Sequence, residues 1–143
     1  MSHVVLDDHL LRDLLADDVG PNLDRLLAAH SAATTNLYLV RLSRSLVSAT
    51  GGALTGAWPL KARRSLARRL VRLSDDIEIV PMRSLAFRMA ELADAYRLSS
   101  LGAEAVAAAE HLGAPLCVWS GDDGPRIRAA MAGIGADYRL LDV

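Results

Sequence analysis

Residues 115–119, PLCVW, form a near-continuous apolar run that ends in an acidic turn, SGDDGP. A strand without polar alternation must be buried on both faces, and such strands belong to parallel sheets covered by helices. The rest of the chain fits that frame. VVL at 4–6 is a short β-branched run followed by charge, and IEIV at 77–80 is β-rich and closed by Pro81. SAATT at 31–35 and YRLLDV at the end complete the expected strands. Between them leucines recur at helical spacing: Leu10, Leu11, Leu14 and Leu15; Leu23, Leu26 and Leu27; Leu39, Leu42 and Leu46; Leu66, Leu70 and Leu73; Leu85, Met89 and Leu92. An alanine-rich helix, LSSLGAEAVAAAEHLG, closes on Gly113, and residues 125–133 form the last helix. Gly51-Gly52 and Gly56 through Pro59 read as a loop. Strands alternating with helices predict an α/β fold, a three-layer α/β/α sandwich with a central parallel sheet. With 143 residues, 52% of them apolar, the chain reads as one domain, 1–143, with a sizeable core.

In open parallel sheets, ligands bind beyond the carboxyl ends of the strands. Asp7 and Asp8 follow the VVL strand, and Asp122 and Asp123 follow PLCVW. If those strands are neighbours, the carboxylates converge on one edge. Crowded carboxylates repel unless a cation sits among them, and hard oxygen ligands suit Mg²⁺ or Mn²⁺. A plainer use is open as well. Asp7 or Asp8 can cap the first helix, and Asp122 and Asp123 precede Gly124-Pro125, where a helix begins. His9 reads as a solvent-facing histidine of a first helical turn, and Ser120 has no His–Asp partner pattern. Trp119 suits either a pocket wall or a filled core position.

The segment KARRSLARRLVR, 61–72, carries six basic side chains, and Arg64, Arg68 and Arg72 repeat every four residues opposite Leu66, Leu70 and Leu73. Such a stripe can track phosphates or can be the solvated face of an amphipathic helix. Arg41 and Arg44 would add to it if they face the same groove. The formal net charge is −1, so any pull on nucleic acid has to come from this local patch. Aromatics at 4% weaken any reading based on base-stacking platforms. The lone cysteine, Cys117, is expected in the core of a protein in a reduced, cytoplasmic setting. No run approaches the roughly 20 apolar residues that cross a bilayer, so no membrane partner is expected. The N-terminus does not read as a signal peptide.

VVLDDHLL alone is similar to the opening of a response-regulator receiver. The acid and the lysine that a receiver needs later are missing: SATGGALTG has no acid, and the one lysine, Lys61, is misplaced. The stretch from IEIVPMRSL to GADYRLL more closely resembles the C-terminal half of a PIN domain, the ribonuclease fold of VapC-type toxins. A Ser-rich turn leads to a helix of alanines, then Gly-Ala-Pro-Leu, then Ser-Gly-Asp and a closing helix and strand. VVLDDHLLRDLL resembles the family's opening segment, while 20–73 is only loosely similar. The resemblance implies a toxin-type RNA endonuclease dependent on Mg²⁺ or Mn²⁺, with RNA as partner, a small antitoxin-like protein and a homodimer. Carried over residue by residue, Asp7 matches the first metal-binding acid and Asp122 the last, with Asp123 assisting. The second acid falls near Tyr38 and the third at Gly102, and neither is acidic. Glu104, two residues on, is the substitute to consider, although two residues turn a side chain by roughly 200° around a helix. The resemblance therefore implies either an enzyme with an incomplete acidic site or an inactive relative that binds RNA or protein. Arg64, Arg68 and Arg72 would steer RNA in both cases.

Overall fold

The computed structural model describes residues 2–48 and 50–143. The strands are β1 (His3–Leu6), β2 (Ser31–Thr34), β3 (Glu78–Ile79), β4 (Leu116–Trp119) and β5 (Tyr138–Leu141). They form one all-parallel sheet in the order β3-β2-β1-β4-β5. The helices are α1 (Asp8–Leu15), α2 (Gly20–Ala29), α3 (Asn36–Val47), α4 (Gly52–Thr55), α5 (Leu60–Val71), α6 (Met82–Tyr96), α7 (Ser100–Leu112) and α8 (Pro125–Gly133). The three-layer α/β/α sandwich expected from the strand–helix alternation is the architecture found.

The period-two geometry of β1 explains the layers. Val4 and Leu6 point to one side, where they join Leu10, Leu23, Cys117 and Trp119 under α1 and α2. Val5 points to the other, against the Ala105–Ala109 run of α7 and Leu85 and Leu92 of α6. Alanines let α7 lie close to the sheet, so the helix is buried from Gly102 through Ala109. A third cluster, Leu11, Leu42, Leu46, Leu54 and Leu66, joins α1, α3, α4 and α5. Among the described residues, no helix is long and apolar enough to cross a membrane.

Three local expectations differ from the structure. The expected loop at Gly51–Gly52 contains the short helix α4, because the Ser45 hydroxyl of α3 accepts hydrogen bonds from the backbone N–H groups of Leu54 and Thr55. IEIV contributes only Glu78–Ile79 to the sheet, since a turn holds Ile77 and Val80 runs into Pro81, which has no N–H to donate. The basic helix ends at Val71 and not at Leu73. By contrast, α7 stops at Gly113 as expected, in a left-handed conformation (φ +60°).

Candidate functional site

The chain runs from β1 outward to β2 and β3, then returns to place β4 on the other side of β1. The carboxyl ends of β1 and β4 thus flank the point where the strand order reverses, the usual ligand crevice of an open α/β sheet. Asp7 leaves β1 in an extended conformation and caps α1, its Oδ1 accepting the Leu10 N–H at 2.9 Å. The capping use foreseen for this residue is real and leaves Oδ2 turned toward His9. Asp122 ends the single 3₁₀ turn, Ser120–Asp122, that follows β4.

His9 lies between them, and the expectation that it faces solvent is corrected: its side chain is only 21% exposed. Nε2 is 3.6 Å from Asp122 Oδ1, and Nδ1 is 3.6 Å from Asp7 Oδ2 and 3.1 Å from Asp8 Oδ1. These are ion-pair separations; the Nδ1 contacts fall off the line of a good hydrogen bond. One ligand atom from each of Asp7, His9 and Asp122 lies within 4.8 Å of the others, a spacing that could hold a metal ion.

Charge is balanced locally. Burial pushes the Asp7 carboxyl up, against the pull of His9 and the Leu10 N–H. Burial would raise Asp8 too, but His9 and Arg41 outweigh it and leave that carboxyl below its usual value. Arg41 Nη1 donates to Asp8 Oδ2 at 2.7 Å. The Asp7 and Asp8 carboxylates in turn push His9 up to about 9, so its imidazole is a cation at neutral pH. A group raised on folding lends stability that is complete below its unfolded pKa, 6.5, and is lost as pH rises through about 9. The metal-free protein is therefore expected to weaken across that window. Urea midpoints at pH 6, 7.5 and 9 check this; a flat profile, or one that His9→Asn leaves unchanged, would exclude the pairing.

The other sequence-derived candidates lie outside that three-residue group. Asp123 is paired with Arg128 and accepts a hydrogen bond from the Tyr138 hydroxyl at 3.0 Å, so it anchors the turn. Neither it nor Asp122 caps α8, whose N-cap is Gly124 without a side-chain bond. Glu104 is fully buried. Its Oε1 accepts the Leu37 N–H at 2.7 Å, and its Oε2 accepts the Asn36 N–H at 3.1 Å and the Asn36 amide at 2.7 Å. Its carboxylate is spent on the start of α3 and lies outside the ligand group. Gly102, where the resemblance expects an acid, packs against α8: an added Cβ would meet Ile127 Cγ1 at 3.2 Å.

Arg64, Arg68 and Arg72 are exposed and form no ion pair among the described residues. Their neighbours are committed: Arg63 donates to Ser48 O, and Arg69 to Leu15 O and Asp17. Arg41, which would add to the basic stripe if it faced the same groove, pairs with Asp8. It also walls a groove of about 600 Å³ with Arg44, Leu37, Val40, Leu54 and Leu101. On the opposite flank a cavity of about 400 Å³ is lined by His9, Asp13, Trp119 and Asp122. Trp119 belongs to both of its expected settings, since it is core-packed while its Nε1 donates to Asp13 Oδ2 at 2.8 Å. Cys117 is core, its thiol pushed up to about 12 by burial.

The sequence placed Asp7 and Asp122 at the ends of β1 and β4, where the structure has them, and did not anticipate that His9 lies between them. The available signal was the Asp-Asp-His order at a strand end, which puts an imidazole in the first helical turn beside the acids. Compared with protein-family models and with curated proteins, the chain matches none.

Proposed function

We propose that the protein is a PIN-like ribonuclease dependent on a divalent cation, in which His9 joins Asp7 and Asp122 in place of the missing acids. The observation that carries this reading is the convergence of those three groups at the crevice between β1 and β4. Two carboxylates and an imidazole suit Mn²⁺ better than Mg²⁺, because Mn²⁺ is the softer ion and takes a nitrogen ligand more readily. When bound there, the cation would offset phosphate charge and lower the pKa of a coordinated water.

The protein's own groups have separable tasks. Asp7 is held by the Leu10 N–H with Oδ2 turned toward His9, and Asp122 approaches from the neighbouring strand. Asp8, fixed by Arg41, faces His9 Nδ1 and would orient the ring so that Nε2 serves as the ligand atom. Asp123, tied to Arg128 and Tyr138, steadies the turn that carries Asp122. Arg64, Arg68 and Arg72 offer uncommitted positive charge for the strand's phosphates.

A second reading rests on the charge state of His9. As an imidazolium it already neutralises Asp7 and Asp8, which suits an inactive PIN-like protein that binds RNA or a partner. The two readings give opposite results for His9→Asn. If His9 is a ligand, the variant binds Mn²⁺ more weakly; if it is a resident cation, the variant binds Mn²⁺ more tightly. The ribonuclease reading expects wild-type protein to cut a mixed RNA pool with Mn²⁺, more slowly with Mg²⁺, and not at all with EDTA. Absence of cation-dependent cutting, together with tighter Mn²⁺ binding by His9→Asn, would replace it with the second.

A further inference from the structure

Two cavities flank the first turn of α7. One is the groove of about 600 Å³ walled by Arg41 and Arg44 of α3, which also takes in Ser100 and Leu101 of α7. The other, of about 420 Å³, lies between α7 and α8 and is lined by Arg97, Ser99, Gly102, Gly124 and Arg126. The turn between them touches both neighbours: Glu104 accepts the Asn36 and Leu37 N–H groups that open α3, and Gly102 packs on Ile127 of α8. Since α3 follows β2 and α8 follows β4, the strand between them is β1, which leads into Asp7. The two cavities therefore bracket the acidic corner. Arg41 joins the first to Asp8 at 2.7 Å, and Gly124 of the second is two residues beyond Asp122.

The chain has 17 acidic residues, yet none lines either cavity among the described residues. Arg44, Arg97 and Arg126 are exposed and form no ion pair among the described residues. Arg126 Nη1 donates to Arg97 O at 3.2 Å, a neutral partner that leaves its charge unspent. Both α7 and α8 begin here without an acid in the first turn, so the partial positive charge of their N-termini has the same sign as the arginines. The basic stripe of α5 lies farther off. Arg69, between Arg68 and Arg72, donates to Leu15 O at the end of α1, about 10 Å along that helix from Asp8 and His9.

Positive cavities on both sides of an acidic corner suit a polyanion whose central phosphate meets the cation. We propose that an RNA strand crosses the first turn of α7, with its phosphates held by Arg44 on one side of the corner and by Arg97 and Arg126 on the other. The apolar floor of the first cavity, Leu37, Val40, Leu54 and Leu101, gives a base a surface to rest on. This deepens the RNA-directed reading and rests on it.

Arg44→Gln, Arg97→Gln and Arg126→Gln are combined in one variant, and Arg25→Gln, on α2 in the opposite layer, is the control. Thermal melts check the folds, and Mn²⁺ alone is titrated calorimetrically. A fluorescein-labelled RNA octamer is bound by anisotropy over a series of KCl concentrations, with Ca²⁺ replacing Mn²⁺ to prevent cutting. The expected result is unchanged Mn²⁺ affinity and RNA affinity lowered at least about tenfold at low salt. The slope of log affinity against log salt falls by about 2, three phosphate contacts at roughly 0.7 each on a single strand. An unchanged slope overturns the proposal, and so does an equal drop per arginine in Arg25→Gln, which marks unspecific attraction. Polyglutamate that displaces the octamer as well as unlabelled RNA does would assign the path to an acidic protein segment and overturn it too. If wild type binds no Mn²⁺ while the slope difference persists, the cation reading fails and the RNA path stands. If wild type binds no RNA, both fall.

Discussion

On the proposed ribonuclease reading, Asp7→Asn is expected to abolish Mn²⁺-dependent RNA cleavage and to weaken Mn²⁺ binding by at least about 100-fold, while the protein stays folded. Asp7 contributes the buried carboxylate of the corner, and an amide carries no charge to hold a cation. Asparagine caps a helix about as well as aspartate does, so the Leu10 N–H keeps its acceptor. Burial opposes the charged form of Asp7, so removing that charge offsets the loss of its pairing with His9. The expected melting temperature near neutral pH is within a few degrees of wild type. Calorimetric Mn²⁺ titration, a cleavage assay and a melt on identically purified proteins check all three. Equal cleavage by both proteins would assign the activity to a contaminant. Normal Mn²⁺ affinity in the variant would move the site elsewhere.

Glu104→Ala is expected to have the largest effect on stability and no specific effect on the cation. The side chain is fully buried, and its two oxygens satisfy the Asn36 and Leu37 N–H groups at the exposed end of the α3 backbone ladder. Truncation leaves those half-buried donors without their acceptor and opens a cavity between α3 and α7. Each unsatisfied buried donor costs about 1–3 kcal/mol, so a total loss on the order of 4 kcal/mol is expected. That corresponds to a fall in melting temperature of roughly 10–20 °C for a domain of this size. Denaturant unfolding gives the energy, and Mn²⁺ titration well below the variant's melting point gives the site. A variant that keeps its stability and loses Mn²⁺ would return Glu104 to the ligand set.

Glu104 also marks the limit of reading this chain as a sequence. Its position, two residues beyond Gly102, offered it as a substitute metal ligand. The helical turn of those two residues instead directs it at Asn36, 68 positions away in the chain. Nothing local announces that contact, because the helix end it caps is brought to α7 only by the sheet. Gly102 is similar: its lack of a side chain is explained by Ile127 of α8, a neighbour created by packing. The basic segment divides in the same way. Its spacing marked Arg64, Arg68 and Arg72 as one stripe, but only the fold commits Arg63 and Arg69 to distant carbonyls.

What the sequence by itself determined is the architecture and one half of the corner. Apolar strands without alternation, VVL and LCVW, have to be covered on both faces, and leucine spacing supplies the covering helices; these are short-range patterns that need no partner to be read. The strand-end rule then placed Asp7 and Asp122 at one edge. Only the tertiary structure decided which groups meet there. The pairing of β1 with β4 brings Asp122 to within 3.6 Å of His9, and the packing of α1 on α3 delivers Arg41 to Asp8. Electrostatic balance in a buried site depends on distances of a few ångströms between residues far apart in sequence, and those distances exist only after the layers have closed.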